Sequence, residues 1–508
     1  MNRRYLYLTV FVSGLVTLAV ELSASRLIEP YFGTSNLIWA VLIGLILLYL
    51  SAGYTLGGRW ADRAPRPDVL YRIIAWAAFL IGLVPFVAHP ILSLASIGFA
   101  DFNAALLIGS FVAALVLFSA PITLLGCVSP FAIRLAVDDV ARAGNVSGRV
   151  YAISTLGSFF GTFLPVLVLI PTIGTRNTFV ALSLVLLSIG LIGLRRRALR
   201  YAWMPAAIIG LAVFVRPDIK STPGALFQTE SAYNYIQVVQ RGETTFLLLN
   251  EGQGVHSVYN PTRLDTGGTW DFFTLAPYFN LPPTADRLQR VAIIGLAAGT
   301  IARQYTAAFG PIPIDGIEID PRIVQAGRDY FDMNLANLNV LIADGRYALK
   351  RSPYRYDVIG IDAYRLPYIP WHLTTVEFFQ QVRERLTDAG VVAINAGHAG
   401  DDDRLVDALA ATLGQVFASV HRADVPNTFN TIVYATVQPT APDNLRANLD
   451  AMTHPLVRNA AERALLSLRE ASPGEVIFTD DRAPVEQLTN SIVVNYLLGI
   501  ARGEITLP

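Results

Sequence analysis

Glu318, Asp344 and Asp362 each close a short apolar run, and the turn at the head of that region, 295–299, reads Gly-Leu-Ala-Ala-Gly. Acids placed this way can do three separate things. One can accept both hydroxyls of a ribose, one can accept an adenine amino group, and one can orient an amine and take its proton. Glu318 falls about 20 residues beyond the glycine turn, where a carboxylate meets ribose hydroxyls in nucleotide sites. Asp344 suits the adenine amino group, and Asp362, at the end of "YDVIGID", faces the reacting centre. Any one of them alone is as well explained as a helix cap. Three in register behind a glycine turn favour a nucleoside site.

Such acids need strands to carry them. Apolar runs at 291–295, 314–319, 338–342, 356–361 and 390–395 alternate with helical patterns. Near-continuous apolar strands separated by helices predict a parallel sheet covered on both faces, a doubly wound α/β (Rossmann-like) domain. Ahead of it, residues 225–285 are β-rich. "YNYIQVVQRG" and "TTFLLLNEGQGVHSVY" read as paired strands joined at Arg241 and Gly242.

The first two-fifths of the chain has a different texture. The 508 residues are 53% hydrophobic and only 15% charged, against about a quarter charged in ordinary soluble domains. Apolar stretches recur at 5–28, 36–58, 70–97, 103–136, 149–171 and 176–194, each near the roughly 20 residues that a bilayer crossing needs. This predicts a multi-pass α-helical membrane domain. Arginines cluster before the first stretch and after the second, fourth and sixth, which places the N-terminus in the cytoplasm. Gly157 and Gly161 form a small-xxx-small pair suited to close helix packing. Within the spans, Glu21 and Arg26 are the notable charges. Zero net charge gives no argument for nucleic acid, and the single cysteine, Cys127, excludes disulfides within the chain and thiolate metal sites.

The motifs "VAIIG…G", "GIEID", "ADGR", "YDVIGID" and "LTTVEFFQQV" (373–382) occur together in the order and spacing of the spermidine synthase family of aminopropyltransferases, which this region resembles over about residues 225–440. The resemblance implies the class I S-adenosylmethionine-dependent methyltransferase fold. It implies a base at Asp362, helped by Tyr364 and Tyr235, and a donor site of Gly295, Gly299, Glu318, Asp320, Asp344 and Gly345. It further implies an acceptor site that includes Asn234, Arg365 and His372. Decarboxylated S-adenosylmethionine, or S-adenosylmethionine, would be the co-substrate, with no permanently bound cofactor and no metal. The whole chain is similar to bacterial membrane-fused spermidine synthase-like proteins.

Three departures separate the chain from that pattern. Ala298 stands where the family has an Asp that meets the amino end of the nucleoside, and Arg365 where it has an Asp that binds a polyamine nitrogen. Asn234 replaces a Gln. A cation beside a polycationic amine costs binding energy, so the acceptor stays open. One alternative is a methyltransferase acting on a non-polyamine substrate, which Arg365 and His372 would suit. Another is a transporter or sensor carrying a degenerate nucleoside domain. The partners expected are a lipid bilayer and a small amine or other acceptor, with a homodimer left open.

The domain boundaries expected are 1–217 (membrane), 218–287 (β-rich), 288–440 (Rossmann-like) and 441–508 (a C-terminal helical extension). The stretch 478–488, "FTDDRAPVEQL", groups acids that either close over the pocket or start a helix. At about 1.5 Å per residue, 201–215 falls short of a roughly 30 Å core. It is therefore expected to lie in the interface, leaving 218–508 cytoplasmic.

Overall fold

A computed structural model describes residues 3–32, 36–97, 104–215, 222–250, 254–364, 368–472 and 474–501. The chain divides into two compact units. The first comprises Met1–Pro223, Thr229–Tyr235 and Asn250–Gly252; the second Gly224–Gln228, Ile236–Leu249 and Gln253–Pro508.

The first unit is helical: α1 Arg3–Phe32, α2 Asn36–Arg63, α3 Pro67–Ile97, α4 Ala104–Gly126, α5 Val128–Ala136, α6 Ala143–Leu164, α7 Ile170–Leu194 and α8 Trp203–Phe214. Among the described residues, five helical runs are long and apolar enough to cross a membrane. The fifth, Val140–Tyr201, is 62 residues long and joins the two spans expected at 149–171 and 176–194. It breaks at Gly174, whose φ of 79° and ψ of 165° are not helical. Glycine sets the helix contacts. A Cβ at Gly157 or Gly161 would collide with the carbonyls of Phe11 and Leu15, so the small-xxx-small pair lets α6 lie directly on α1. Gly53 does the same for α2 against Thr123 of α4.

The second unit holds two sheets. β1 Ala225–Glu230, β2 Tyr235–Arg241, β3 Thr244–Leu249 and β4 Val255–Tyr259 form a four-stranded sheet in chain order, with the ends of β1 and β2 belonging to the first unit. The expected hairpin is there, Arg241 pairing with Thr244 across the turn. A short helix, α9 Thr269–Phe273, leads into β5 Val291–Ile294, α10 Thr300–Phe309, β6 Ile314–Glu318, α11 Pro321–Tyr330, β7 Leu338–Ile342, α12 Gly345–Arg351 and β8 Tyr356–Ile361. Next come α13 Val376–Arg385, β9 Leu386–Gly397, α14 Arg404–Gly414, β10 Ser419–Asp424 and β11 Asn430–Thr436. The remaining elements are α15 Asp443–Ala447, α16 Pro455–Ala464, β12 Arg469–Glu470 and α17 Val485–Ala501.

The large sheet runs β12-β10-β11-β9-β8-β5-β6-β7. From β9 to β7 every pairing is parallel, as the apolar runs predict. Alternate residues of each central strand feed two cores. Val291 and Ile293 join one with Val358 and Ala423, while Ala292 and Ile294 join the other with Ile359 and Phe378. That is why the strands read apolar throughout rather than alternating.

Two features differ from expectation. The sheet is not all parallel, because β10, β11 and β12 add antiparallel strands at one edge. Nor do residues 441–508 form a separate helical extension. Their β12 pairs with β10, and Val457, Ala460, Ala461 and Ala464 of α16 complete the core under Phe272 and Phe273.

Candidate active site

The site forms where β5, β6 and β8 end. Gly295 has φ 85°, Ala297 φ 48° and Gly299 φ 88°, so the turn coils tightly away from β5. A Cβ at Gly295 would collide with the carbonyl of Asp362, so only glycine lets the end of β8 lie against this turn. Gly299 then begins α10.

The turn's backbone N–H groups are all engaged within the protein. Those of Gly295 and Leu296 donate to Ile317 O at 2.9 and 3.0 Å, and that of Gly299 to Leu296 O at 3.0 Å. Ala297 N donates to Glu318 Oε2 at 3.0 Å, and Ala298 N to Ser257 Oγ at 2.9 Å. A phosphate cradle needs free amides; this turn offers none and presents a carboxylate instead. The arrangement suits a nucleoside without phosphates.

Glu318 is buried, its Oε1 accepting from Asp320 N at 3.0 Å. Burial pushes its carboxyl up to about 7, against the lowering effect of the hydrogen bonds from Asp320 and Ala297. Each oxygen keeps a further lone pair for a hydroxyl donor. Asp320 is fully buried and caps α11 by accepting from Arg322 N at 2.9 Å. Its backbone N–H is the group that holds Glu318 Oε1. Asp344 also caps a helix, accepting from Tyr347 N at 2.9 Å, while its other oxygen lies 2.9 Å from His372 Nε2. Two residues assigned to different subsites by sequence are therefore partners. Gly345 is buried where a Cβ would strike Ile294, so α12 packs directly on the end of β5.

Asp362 is held at both oxygens. Asn395 Nδ2 donates to its Oδ1 at 2.9 Å and Trp270 Nε1 to its Oδ2 at 3.1 Å. Burial nevertheless pushes its carboxyl up to about 6. Tyr364 donates its hydroxyl to the carbonyl of Asn395 at 3.2 Å, and burial raises it well above the ordinary phenol range. It is a neutral donor that braces β9. Asn395 Oδ1 is buried and has no hydrogen-bond partner among the described residues. An acceptor aimed beside a carboxylate is what an incoming N–H group requires.

Asn234 and Tyr235 lie in the first unit. Tyr235 N donates to Asn250 Oδ1 at 3.1 Å, and Asn250 Nδ2 to Asn234 Oδ1 at 3.2 Å. Arg365 falls outside the described residues. Of the acids of 478–488, Asp480 is engaged within the protein. Asp480 takes both terminal nitrogens of Arg346 at 2.7 Å and the hydroxyl of Thr375 at 2.7 Å, and Arg346 holds it below the usual carboxylate range. The stretch is a strap tied to α12.

Trp270 and Asn395 escaped the sequence reading. Trp270 lies 92 positions before Asp362 in a glycine-rich link with no period to place it. Asn395 did carry a signal, a polar side chain closing the apolar run of β9 at its carboxyl end.

Comparison with known proteins agrees with this geometry. The spermine/spermidine synthase domain matches residues 279–445. A "Probable polyamine aminopropyl transferase" of Bifidobacterium longum (strain NCC 2705) is 33% identical over 310 residues, 56% of this chain and 68% of its own length. A "Polyamine aminopropyltransferase" of Vibrio vulnificus (strain CMCP6) is 31% identical over 142 residues, 27% of this chain and 46% of its own length. Among solved structures, a probable spermidine synthase from Corynebacterium glutamicum ATCC 13032 is 20% identical, with a TM-score of 0.40 over 50% of this chain and 98% of that one. These relatives are transferases, and the chain is a transferase of their class. The chain belongs to the polyamine aminopropyltransferase (spermidine synthase) family, spanning about two thirds of the first relative and less than half of the second.

Proposed function

We propose that the chain is a membrane-anchored transferase that moves an aminopropyl group from decarboxylated S-adenosylmethionine to an amine, with Asp362 as base. The observation that carries this reading is the Asp362 carboxylate itself. It is fixed at both oxygens by neutral donors, raised toward neutrality by burial, and set against the glycine turn at the end of β8.

A free alkyl amine has a pKa near that of Lys, about 10, so it arrives protonated. Asp362 takes one proton from the ammonium, and Asn395 Oδ1 accepts a second N–H, aiming the lone pair. The nitrogen attacks the carbon beside the sulfonium, the N–C bond forms, and the C–S bond breaks with its electron pair returning to sulfur. The leaving thioether needs no acid, because sulfur already carried the positive charge. Glu318 would accept the ribose hydroxyls and Asp344 the adenine amino group. Arg365 disfavours a polycationic acceptor, so a monoamine, or one bearing an anionic group, fits better than a diamine.

Two measurements test this. Decarboxylated S-adenosylmethionine or methylthioadenosine should stabilise the full chain against heat more than S-adenosylmethionine or S-adenosylhomocysteine at equal concentration, since stabilisation follows RT ln(1 + [L]/Kd). The reverse order would favour a methyltransferase. Asp362→Asn should abolish turnover while leaving nucleoside binding intact, and turnover at the parent rate would remove Asp362 from the role.

A further inference from the structure

We infer that the chain leaves its helical unit on the face opposite the arginine-rich loops, so that Thr229 and the residues after it lie outside the cytoplasm. This replaces the cytoplasmic placement expected from sequence. It requires that the helical unit span a bilayer and does not depend on the transferase reading.

The helix directions are fixed by contacts within the first unit. Phe11 and Leu15 of α1 meet Gly157 and Gly161 of α6, so these helices are parallel. Tyr5 meets Tyr71 and Tyr31 meets His89, so α3 runs with them. Ala78 O accepts from Ser183 while Tyr71 lies against Gly193, so α7 runs the other way. The charged ends then collect on one face. Arg3 pairs with Asp138, Arg134 with Asp62 at 3.4 Å, and Arg197 with Asp68. That face carries the arginines and is cytoplasmic.

α8 decides where the chain goes next. Trp203 lies 6.3 Å from Trp76 and 4.9 Å from Phe79, centroid to centroid, and Ile208 faces Gly82. Further along, Arg176 sits 5.1 Å over Phe86 and donates to Leu211 O at 3.4 Å, Ala212 O at 3.0 Å and Val215 O. Partners on α3 advance as α8 advances, so the two run parallel, away from the arginine face. The length objection weakens. Arg195–Tyr201 is a 3-10 helix; with Arg195, Arg196 and Arg197 left at the arginine face, Ala198–Tyr201 at about 2.0 Å per residue adds roughly 8 Å. The 12 residues of α8 add roughly 18 Å. Together they span roughly 26 Å against a roughly 30 Å core.

The chain is then tied to that far face. Thr175, one residue past the break at Gly174, donates its N–H and hydroxyl to Glu230 at 2.7 and 2.8 Å. Arg26, near the far end of α1, pairs with Glu29 at 3.1 Å and donates to Ala232 O. Ile236 follows Tyr235 directly, and no helix after Phe214 among the described residues is long and apolar enough to cross back. If the proposed transfer is the reaction, both its nucleoside donor and its amine acceptor are met outside the cytoplasm.

Cysteine labelling tests this on the full chain. Cys127 is buried and is replaced by alanine. Single cysteines are then placed at the exposed Glu243, in the β2–β3 turn, and at Val140, which is 86% exposed on the arginine face. A membrane-impermeant maleimide should label Glu243→Cys in intact cells, and Val140→Cys only after the membrane is opened. Asp388→Cys, also exposed, repeats the first arm should Glu243→Cys fail to accumulate. Labelling in intact cells of both faces, of neither, or of Val140→Cys alone overturns the inference. Loss of transferase activity would leave this result unchanged, so the two readings fail separately.

Discussion

Trp270→Phe isolates what the indole does for Asp362. The ring volume is nearly kept, and the single donor 3.1 Å from Oδ2 is lost. A hydrogen bond to a charged group contributes about 1.5–3 kcal/mol, and about 1.4 kcal/mol corresponds to one pKa unit. Water admitted to the partly accessible site recovers some of that, so a rise of about one unit is expected. The sign follows from the role. A base must be ionised, so kcat/KM falls as pH drops through the carboxyl's value, about 6 in the parent. Losing a donor favours the neutral acid, so the acid limb moves up to near pH 7. The assay is the pH dependence of kcat/KM in detergent or lipid discs, with the variant's nucleoside affinity measured beside it. A limb that stays in place while kcat drops would mean that Trp270 only packs. A limb that moves down would refute the electrostatic argument altogether.

Three further outcomes follow from the same geometry. Glu318→Gln should weaken nucleoside binding by about 1–3 kcal/mol, read by calorimetry; an unchanged Kd would remove Glu318 from the site. Because burial holds Glu318 near 7 and hydroxyl donors favour its ionised form, parent affinity should rise from pH 5.5 to pH 8 by roughly tenfold. In Glu318→Gln that slope should vanish, and a pH-independent parent affinity would contradict the assignment. Arg346→Ala should release the strap at 478–482. A double-mutant cycle with Asp480→Asn should then give a coupling of roughly 0.5–1.5 kcal/mol, since the pair is bidentate but partly exposed, and zero coupling would mean that other contacts hold the strap.

The sheet was legible because apolar runs with strand length and helical spacing leave few other arrangements. Every strand from β5 to β9 falls within a few residues of its expected place. The acids were legible for the same reason, since strand ends are fixed once strands are. What each acid does was less legible. Glu318, Asp320 and Asp344 all close strands, yet Asp320 and Asp344 cap helices while Glu318 faces the turn. The difference lies in one or two positions of backbone geometry that sequence spacing does not resolve. Trp270 was invisible because its partner is brought to it by the fold, not by any local period.

Sidedness shows how one rule can support two opposite placements. The arginine alternation orients six spans from sequence alone, and the helix directions agree with it. The expectation for the rest of the chain then turned on the length of one segment, counted at the α-helical rise. The counted segment began at Tyr201; the 3-10 stretch before it, invisible to apolar periodicity, supplies further length from Ala198 onward. It also lets Arg195, Arg196 and Arg197 stay at the cytoplasmic face while Trp203 is already level with Trp76. Counting spans is a parity problem, so an error in one marginal helix does not shift the second unit slightly; it moves it to the other side of the bilayer. The sequence held a clue independent of length, in Glu230 and Arg26. Each is costly at a membrane boundary without a partner, and their partners, Thr175 and Ala232, are supplied on the same far face.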